Sequence, residues 1–475
     1  MDESSWTKQS SKSPRRGALP RAVLATAWLA LPGAAAAQQT PAGAPQTPPD
    51  ATVETPKPEN PKAETPPPAP EAKPPAPAAP PVVSAGPEGF TLASADKQFQ
   101  LKLRGYVQAD GRYFASEKDR PAVNTFLVRR ARPILDGTLF GLVDFRIMPD
   151  FGSGTTTLQD AYVDLRPRPE LRLRVGKYKP PSMGLEQLQS DSNIVFVERN
   201  LPSNLVPNRD EGIQLHGEIA GGVLTYAVGA FNGTPDDASV DANLDDNVDL
   251  AARVFSHPFR RTEWTPLKGL GLGIAGSSGS QHGTPSATGL APYRTVGQQV
   301  FFSYLSSTTA ADTVVADGAH LRLSPQAYYY YGGLGLLAEY VTSTQELRRG
   351  TDERVRVRND TWQVQASYVL FGGTPGFEGV RPTHPLRPSE GSWGAVELAA
   401  RYAELHVDPD AFPRFADPNR SARVAKGWGA AANWYIGGNN RIGLDLEHTT
   451  FEGGAANGAD KPSELVLFGR FQASF

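Results

Sequence analysis

Cysteine is absent from all 475 residues, and its absence excludes several kinds of protein. Disulfide-stapled folds, thiolate zinc sites and enzymes with a cysteine nucleophile all need this side chain. An excess of one charge is absent as well, because 47 basic and 50 acidic residues give a formal net charge of −3. General nucleic-acid-binding proteins carry a basic surface, so we expect no nucleic-acid partner.

Long hydrophobic runs are also missing. Mean hydropathy is −0.38, and beyond the N-terminus there is no run of about 18 apolar residues that could form a transmembrane helix. A membrane β-barrel stays possible, because its strands alternate lipid-facing apolar residues with polar residues that face the lumen. The seven histidines lack the HExxH spacing of a metal hydrolase, and we expect no metal, no cofactor and no catalytic residue.

The N-terminus has the layout of a secretory signal peptide. Basic residues between Lys8 and Arg21 precede an apolar stretch, Ala22–Ala37, that ends in small residues. This order of a basic region, a short apolar region and a small-residue cleavage site predicts a signal peptide over residues 1–37. A plain N-terminal helix is the alternative.

Residues 38–88 have the composition of a disordered segment. Between residues 38 and 87 there are 17 prolines and 10 alanines, but no Leu, Ile, Phe, Tyr or Trp. Such a segment cannot bury a core, so we expect a disordered, Pro/Ala-rich periplasmic linker. Composition alone does not separate an inert linker from a spacer that contacts the cell wall.

From Gly89 to Phe475 the sequence consists of short alternating segments separated by Gly, Pro, Asn and Asp. Helical periodicity is rare here, and the pattern predicts a single all-β domain over residues 89–475. At roughly 10 residues per spanning strand, with turns and long loops added, this length accommodates about 14–18 strands.

The polar face of these strands distinguishes a membrane barrel from a soluble sandwich, because a barrel points its apolar residues at lipid and its charged residues at the lumen. Between residues 99 and 113, Leu101, Leu103 and Val107 alternate with charged and polar side chains. The same alternation recurs over residues 143–151, 158–165, 171–175, 396–402 and 441–447. It predicts a transmembrane antiparallel β-barrel. The basic residues on its predicted lumen face are Lys102, Arg104, Arg112, Arg146, Arg172 and Arg174.

The last predicted strand ends the chain on an aromatic residue. It places on one face Leu465, Leu467, Gly469, Phe471, Ala473 and Phe475. Such a strand resembles the recognition strand of bacterial outer-membrane proteins, which pairs with the barrel insertion machinery before the barrel closes. We expect Phe471 and Phe475 to act as the membrane insertion signal, and the protein to be integral to the bacterial outer membrane. A soluble protein that ends in a strand is the alternative.

Aromatic residues cluster near the ends of the predicted strands, as in Tyr328–Tyr331, Trp393, Trp428 and Trp434-Tyr435. Girdles at the two membrane interfaces explain this placement, because a Tyr or Trp ring sits in the lipid boundary with its polar tip in water. Outer-membrane lipid and lipopolysaccharide are therefore expected partners. Stacking in a core is the alternative for Tyr328–Tyr331.

Six segments carry a resemblance to a known family. They are residues 105–110, 126–132, 160–164, 175–186, 226–233 and 433–435. These segments resemble the phosphate-selective porins O and P. The similarity extends from about residue 90 to the C-terminus, and residues 126–233 are its most specific part.

This resemblance implies a sixteen-stranded, homotrimeric channel with long external loops and one loop folded inward to narrow the pore. The inward loop corresponds here to residues 184–210, with Asn193, Glu198, Arg199, Asn204 and Asn208 as its constriction residues. Family members pass anions along lumen arginines. Arg130 and Arg132 match the family's Arg-rich motif on one face of a strand, whereas Arg129 has the opposite parity and is left out of this ladder.

Acidic residues share the predicted lumen face with the arginines. They are Asp110, Asp136, Asp144, Asp150, Asp160 and Asp164. After residue 87 there are 39 basic and 43 acidic residues. Guanidinium groups suit phosphate because they donate hydrogen bonds in a planar fork, but arginines that are paired with carboxylates select anions less strongly.

The sequence therefore predicts a passive outer-membrane diffusion porin, not an enzyme, that passes small anions. Inorganic phosphate and polyphosphate are the candidate solutes. A general non-selective porin is one alternative, and a structural barrel tethered to the cell wall through its Pro-rich arm is another. An outer-membrane phospholipase would be a third, but no nucleophile elbow supports it.

Overall fold

The computed structural model describes residues 80–475, except 88, 116–121, 240, 242, 244 and 439. Sixteen antiparallel strands, named β1–β16 in chain order, form one closed barrel. They are β1 (Gln100–Phe114), β2 (Thr125–Leu139), β3 (Val143–Asp150), β4 (Thr157–Arg168), β5 (Leu171–Tyr178), β6 (Asp210–Ile219), β7 (Leu224–Phe231), β8 (Asp249–Ser256), β9 (Leu270–His282), β10 (Val314–Tyr331), β11 (Leu334–Arg349), β12 (Val355–Phe371), β13 (Ala395–His406), β14 (Ala422–Gly437), β15 (Asn440–Gly453) and β16 (Glu464–Ser474). The predicted all-β barrel and its strand number are thus confirmed. The predicted signal peptide and most of the predicted linker lie outside the described residues.

Pairing between β1 and β16 closes the barrel. Asp110 on β1 lies opposite Arg470 on β16, and two guanidinium N–H groups donate to its carboxylate at 2.7 and 2.6 Å. Gln108 donates to Gln472 across the same seam at 2.7 Å. Both ion-paired side chains are fully buried, so the seam is joined by side chains as well as by the backbone ladder.

The lipid-facing and lumen-facing residues alternate as the sequence predicts. On β16 the side chains of Leu467 and Phe471 are 45% and 50% exposed, whereas Arg470 and Gln472 are 2% and 0% exposed. β13 and β15 alternate in the same way. The exposed apolar side chains form the surface that acyl chains cover in a membrane, and the polar side chains line or fill the lumen.

Alternation also divides the tyrosine run of β10, so that both interpretations of it apply. Tyr331 faces outward and is 49% exposed. Tyr328 faces inward, where its ring lies 5.1 Å from the rings of Phe255 and Phe377. Successive residues of one strand therefore contribute to a membrane girdle and to a lumen cluster.

The two ends of the barrel differ in the length of their connections. At the end where β1 begins and β16 ends, most turns are short, as between β2 and β3 or between β10 and β11. The opposite end carries long connections over residues 179–209, 232–248, 283–313 and 407–421. In outer-membrane barrels the short turns face the periplasm, which identifies the first end as periplasmic. Two periplasmic connections, residues 257–269 and 372–394, are nevertheless long.

A β-hairpin precedes the barrel. Its strands, Val82–Gly86 and Gly89–Ala93, pair with each other, and the second pairs with the periplasmic end of β1. Gly89 has a φ of +97°, and a Cβ atom there would lie 2.4 Å from the carbonyl oxygen of Leu103, so glycine is required. The prediction of disorder over residues 38–88 therefore extends too far. Val82–Gly86 contains no proline, so all its N–H groups can join a ladder.

Three connections fold into the barrel interior, over residues 179–209, 283–313 and 372–394. A hydrophobic cluster of lumen-facing residues on β10–β15 packs against the first two, which contribute Leu205 and Phe302 among others. The third enters from the periplasmic end, where the carbonyl oxygen of Phe377 accepts a hydrogen bond from Gln189 Nε2 at 2.8 Å. These segments fill the lumen beside β10–β15.

Within the described residues, helical structure occurs as short turns in the connections. One α-helical turn, α1, spans Leu185–Leu188, and 3₁₀ turns span Gly152–Gly154, Leu201–Leu205, Thr265–Leu267, Ala310–Asp312, Pro388–Glu390, Pro409–Ala411 and Ala456–Gly458. Short strands pair Tyr293–Arg294 with Val300–Phe302, Gly373–Thr374 with Arg381–Pro382, and Leu386–Arg387 with Ser392–Trp393. In this part of the chain no helix is long and apolar enough to cross a bilayer.

Candidate pore constriction

Residues 179–209, named the lumen segment below, cross the barrel interior between β5 and β6. Side chains of the opposite wall hold its backbone. Arg401 on β13 donates to the carbonyl oxygen of Glu198, and Asn433 on β14 donates to that of Val195, both at 2.9 Å. Two carboxylates accept from backbone N–H groups of the segment, Glu339 from Leu185 and Asp445 from Val197. Irregular backbone inside a barrel lacks ladder partners, so these side chains satisfy its polar groups.

Glu198 is the centre of an arginine cluster. Its carboxylate accepts from Arg129 at 2.5 Å, from Arg112 at 3.1 Å and from Arg130 at 3.2 Å. Arg470 lies 3.6 Å away and also binds Asp110. The Glu198 side chain is only 3% exposed, so water does not compete for it and the arginines converge on the lumen segment.

Asp191 is a second centre, on the same segment. It binds Arg132 and Arg199, and Arg130 lies 3.2 Å away. Arg132 also donates to Asp150 at 2.7 Å. The predicted ladder residues Arg130 and Arg132 therefore do lie on the lumen side of β2, but they are buried and paired with carboxylates of the lumen segment and of β3.

The ionisation of both centres follows from these contacts. Burial alone raises the pKa of Glu198, but Arg129 and Arg130 outweigh burial and hold it well below its ordinary value. Burial likewise raises the pKa of Asp191, but Arg130 and Arg199 outweigh burial and lower this pKa well below its ordinary value. Both carboxylates are therefore ionised at neutral pH and fix the lumen segment through ion pairs.

The exclusion of Arg129 from the lumen by its parity is wrong. A β-bulge in β2 pairs Arg130 with Gln108 and Val128 with Ala109, so that Arg129 is an extra residue on its strand. Its Nε reaches Glu198 at 2.5 Å. A bulge adds one residue to a strand, so the side chains on its two sides no longer follow one alternation. A prediction from strict alternation cannot detect this change.

The other predicted lumen arginines fall into a paired and an unpaired group. Arg104 and Arg146 both donate to Asp136 at 2.7 Å, and Arg174 binds Asp164 at 2.6 Å. Arg172 makes no hydrogen bond or ion pair with the described residues, and its buried Nε has no partner. Lys102 lies at a lumen position of β1.

The remaining residues predicted for the constriction connect the lumen segment to its neighbours. Asn193 donates to Glu378 at 3.3 Å. Asn204 exchanges two hydrogen bonds with the backbone of Arg294, at 2.7 and 3.0 Å. Asn208 accepts from Gln187 within the segment at 2.9 Å. Asn193 and Asn204 thus attach the segment to residues 372–394 and 283–313.

A basic cavity of about 310 Å³ lies between the lumen segment and β5–β8. Its lining includes Arg172, Arg174, Lys179, Arg253 and one carboxylate, Glu218. The Arg253 guanidinium lies 4.4 Å from the centroid of the Phe255 ring and donates to Gln326 at 3.0 Å, without an ion pair in the described residues. Arg172 and Arg253 therefore present to this cavity guanidinium groups that have no carboxylate partner among the described residues.

Lys179 borders the cavity from the lumen segment. Its Nζ donates to the carbonyl oxygens of Gln187 and Gln189 at 2.6 and 2.5 Å. Burial lowers the pKa of Lys179 well below its ordinary value, and the neighbouring Arg199 and Arg209 lower it further. The fixed charge of the cavity thus comes mainly from arginine, which stays protonated at any pH of interest.

Sequence reasoning did not include Arg253, Arg401, Arg470 and Asp191 among the predicted site residues, although the alternation over residues 396–402 places Arg401 on the lumen face. The first three lie at inward positions of β8, β13 and β16, so alternation was a sufficient signal for them. Asp191 lies in a connection without a period, and no local pattern indicates its partners.

A serine, a histidine and an aspartate also meet in the lumen, but they do not form a hydrolytic triad. The same atom, His320 Nε2, lies 2.9 Å from Ser343 Oγ and 3.6 Å from Asp236 Oδ1. In a triad the carboxylate orients the ring through the other nitrogen. The arrangement gives no support to the phospholipase alternative.

Comparisons with known proteins agree with this geometry. A family model for phosphate-selective porin O and P matches residues 99–475. The outer membrane channel DcaP of Acinetobacter baumannii has a TM-score of 0.50 at 11% identity, covering 81% of this chain and 99% of that chain. OmpT of Vibrio cholerae has a TM-score of 0.49 at 10% identity, covering 80% and 98%. OprB of Pseudomonas putida has a TM-score of 0.49 at 12% identity, covering 80% and 95%. Curated proteins gave no match.

At 11% identity the likeness to DcaP shows a shared fold only, and membership of a family follows from the match to the family model. It extends over all sixteen strands of the barrel. With an apolar exterior and a charged lumen, this chain is an integral outer-membrane channel that belongs to the phosphate-selective porin O and P family.

Proposed function

We propose that this channel passes anions in preference to cations and that the basic cavity beside β5–β8 is where a permeating anion is held. The observation that carries the proposal is that two guanidinium groups on the wall of that cavity, those of Arg172 and Arg253, form no ion pair with the part of the chain that the structure describes. Arg174, which is paired with Asp164, and the buried Lys179 also line the cavity, and Glu218 is the acidic residue of the lining.

The chemistry of the site suits oxyanions that must also leave again. Guanidinium N–H groups replace part of the hydration shell of a phosphate or carboxylate with charge-assisted hydrogen bonds. Selectivity in a channel requires contacts that favour entry but are weak enough to permit exit. We therefore infer brief binding of the permeating ion, with inorganic phosphate and polyphosphate as candidate solutes.

A general, non-selective channel is the second candidate, and the ion pairing at the constriction favours it. Arg112, Arg129, Arg130 and Arg132 each bind a carboxylate of the lumen segment, Glu198 or Asp191. A paired arginine attracts passing anions less than a free one. The two candidates therefore differ in whether Arg172 and Arg253 are enough to make the channel prefer anions to cations.

The reversal potential of the protein in planar bilayers under a KCl gradient distinguishes them. We expect chloride to carry most of the current, and the Arg172→Gln/Arg253→Gln variant to shift the reversal potential toward zero. Arg387→Gln is the matched control, because Arg387 is exposed on a periplasmic connection and pairs with Glu390. A current carried mainly by potassium in the parent protein would eliminate the anion proposal.

Phosphate competition tests the solute. Inorganic phosphate added to one side should reduce the chloride current at concentrations where sulfate has a smaller effect, and the double variant should lose this block. If phosphate and sulfate act equally, the channel is anion-selective without phosphate preference.

We also infer that the protein functions as a homotrimer, surrounded by outer-membrane lipid and lipopolysaccharide. Family membership supports the assembly, and the apolar exterior supports the lipid contact. Phe471 and Phe475 face outward at the end of the chain and are 50% and 45% exposed, which suits their predicted contact with the barrel insertion machinery.

A further inference from the structure

The periplasmic connection between β8 and β9, residues 257–269, reaches the outer side of the barrel. The carbonyl oxygen of Pro266 accepts a hydrogen bond from the Tyr329 hydroxyl at 2.8 Å. Tyr329 lies on β10 at an outward position, two residues before Tyr331, which is 49% exposed. This hydrogen bond therefore holds the connection at the height where the lipid-facing wall of the barrel meets the periplasm.

Two aromatic side chains of the connection stack on each other at this height. The rings of Phe259 and Trp264 are nearly parallel, with an angle of 8° and 6.5 Å between their centroids. Trp264 is nevertheless 66% exposed. An indole ring gains most where its apolar body meets lipid and its N–H meets water, which is the headgroup region of a membrane.

The connection also carries three exposed basic side chains, those of Arg260, Arg261 and Lys268. None of them forms an ion pair with the part of the chain that the structure describes. By contrast, the short periplasmic turns contain neither lysine nor arginine, over residues 140–142, 169–170, 220–223, 332–333 and 438–439. Exposed positive charge at the periplasmic end is thus concentrated beside the stacked rings.

The two guanidinium groups lie over the neighbouring turn between β6 and β7. A Cβ atom at Gly221 would lie 3.2 Å from Arg261 Nη2, and one at Gly222 would lie 3.1 Å from Arg260 Nη1. Glu218 Oε2 lies 3.4 Å from the latter Cβ position, and Glu263 is the acidic residue of the connection itself. Three basic groups therefore face two acidic ones, and the surface keeps a positive excess.

We propose that residues 259–268 bind the headgroup of an anionic phospholipid in the periplasmic leaflet of the outer membrane. The guanidinium groups of Arg260 and Arg261 suit a phosphodiester because they donate hydrogen bonds in a planar fork. Trp264 contacts the glycerol and the upper acyl chain, and Lys268 adds charge at the edge. The hydrogen bond to Tyr329 keeps the site at the bilayer surface, which favours a lipid over a polymer of the cell wall.

Quenching of Trp264 fluorescence by brominated lipids tests this site independently of the solute preference proposed above. The protein is reconstituted in phosphatidylcholine vesicles that contain a small, equal fraction of brominated phosphatidylglycerol or brominated phosphatidylcholine. The chain has seven tryptophans, so the Trp264 signal is the difference between each protein and its Trp264→Phe counterpart. Channel conductance verifies that every variant is folded.

We expect phosphatidylglycerol to quench Trp264 several-fold more strongly than phosphatidylcholine, and this excess to fall as added NaCl screens the charges. Arg260→Gln/Arg261→Gln should lose most of the excess. Arg381→Gln/Arg387→Gln, at exposed positions of the other long periplasmic connection, is the matched control and should keep it. Equal quenching by the two lipids, or quenching by neither, would overturn the proposal.

Two further measurements separate the lipid from other anions. Sodium phosphate that removed the excess quenching more effectively than NaCl of equal ionic strength would assign the site to free phosphate. Co-sedimentation with purified peptidoglycan that was lost in Arg260→Gln/Arg261→Gln would assign it to the cell wall. We expect neither result, and either one would overturn the proposal.

Discussion

Single residues of the lumen segment decide how much positive charge a permeating ion meets. Glu198 and Asp191 are buried acidic residues on a connection, yet they contact most of the arginines that the sequence places on the lumen face of β1 and β2. Arginine content alone would therefore overestimate anion selectivity, because the acidic partners come from a different part of the chain.

Removing one of these carboxylates should shift the ion selectivity of the channel toward anions. In Glu198→Gln the four neighbouring guanidinium groups lose their shared negative charge. A change of roughly 0.8 kcal/mol in the energy of an anion in the lumen alters the permeability ratio of chloride to potassium about fourfold. The ratio is measured from reversal potentials. Glu353→Gln, on an exposed external connection, is the control, and equal ratios in both variants would contradict the prediction.

The depressed pKa values of Asp191 and Glu198 give a pH dependence. A carboxylate whose pKa is lower in the folded state stabilises the fold above its unfolded-state pKa, and this contribution is lost as pH falls through the folded-state pKa. Because both carboxylates stay ionised from pH 7 down to about pH 4, we expect their ion pairs to hold the lumen segment over this range. A change in channel noise or open conductance should occur only at more acidic pH. A transition near pH 5 that disappears in Glu198→Gln would contradict the depressed pKa of Glu198.

At the level of elements, the seam between β1 and β16 contains a fully buried ion pair, so one substitution there should destabilise the barrel. Arg470→Met leaves Asp110 buried without its partner, and a broken buried pair costs about 3–5 kcal/mol. The free energy of unfolding is measured with urea in lipid vesicles by tryptophan fluorescence. Arg387→Met removes an exposed ion pair and should cost less than about 1 kcal/mol.

A double variant separates charge burial from the loss of packing at the seam. Asp110→Asn/Arg470→Gln removes both charges and should recover part of the stability lost in Arg470→Met, because no unpaired ion is then buried. Equal destabilisation of the single and the double variant would mean that the ion pair itself contributes little to closure of the barrel.

Across the whole molecule, the inward connections make the lumen asymmetric. They pack against β10–β15, as where Phe196 of the lumen segment covers Ala399 on β13. The basic cavity lies on the other side, where Ala227 on β7 is part of the lining. This asymmetry predicts a route for ions along β5–β8, because the lumen beside β10–β15 is filled by the inward connections.

Chemical modification of single introduced cysteines tests the position of this route. A negatively charged methanethiosulfonate reagent should reduce the current through Ala227→Cys, because the added group occupies the basic cavity. It should leave Ala399→Cys unchanged, since that position is 9% exposed beneath the lumen segment. Block of Ala399→Cys at the same rate would place the ion route on the opposite side of the barrel.

Much of the barrel could be predicted because its strands repeat a simple pattern. The outward faces of β1, β13, β15 and β16, and the lumen positions of Arg104, Arg146, Arg172 and Arg174, all follow from a period of two. Arg129 broke that pattern at a bulge. The strand Val82–Gly86 was missed because the surrounding composition is that of a linker.

What the sequence by itself determined is the wall of this channel: an antiparallel barrel with an apolar exterior and a charged interior. Each strand residue meets either lipid or lumen, so local alternation is enough to specify its side. Only the tertiary structure decided which lumen charges remain free. Glu198 and Asp191 lie on an irregular connection, and their arginine partners are brought to them by barrel closure and by the packing of the lumen segment, which no local pattern encodes.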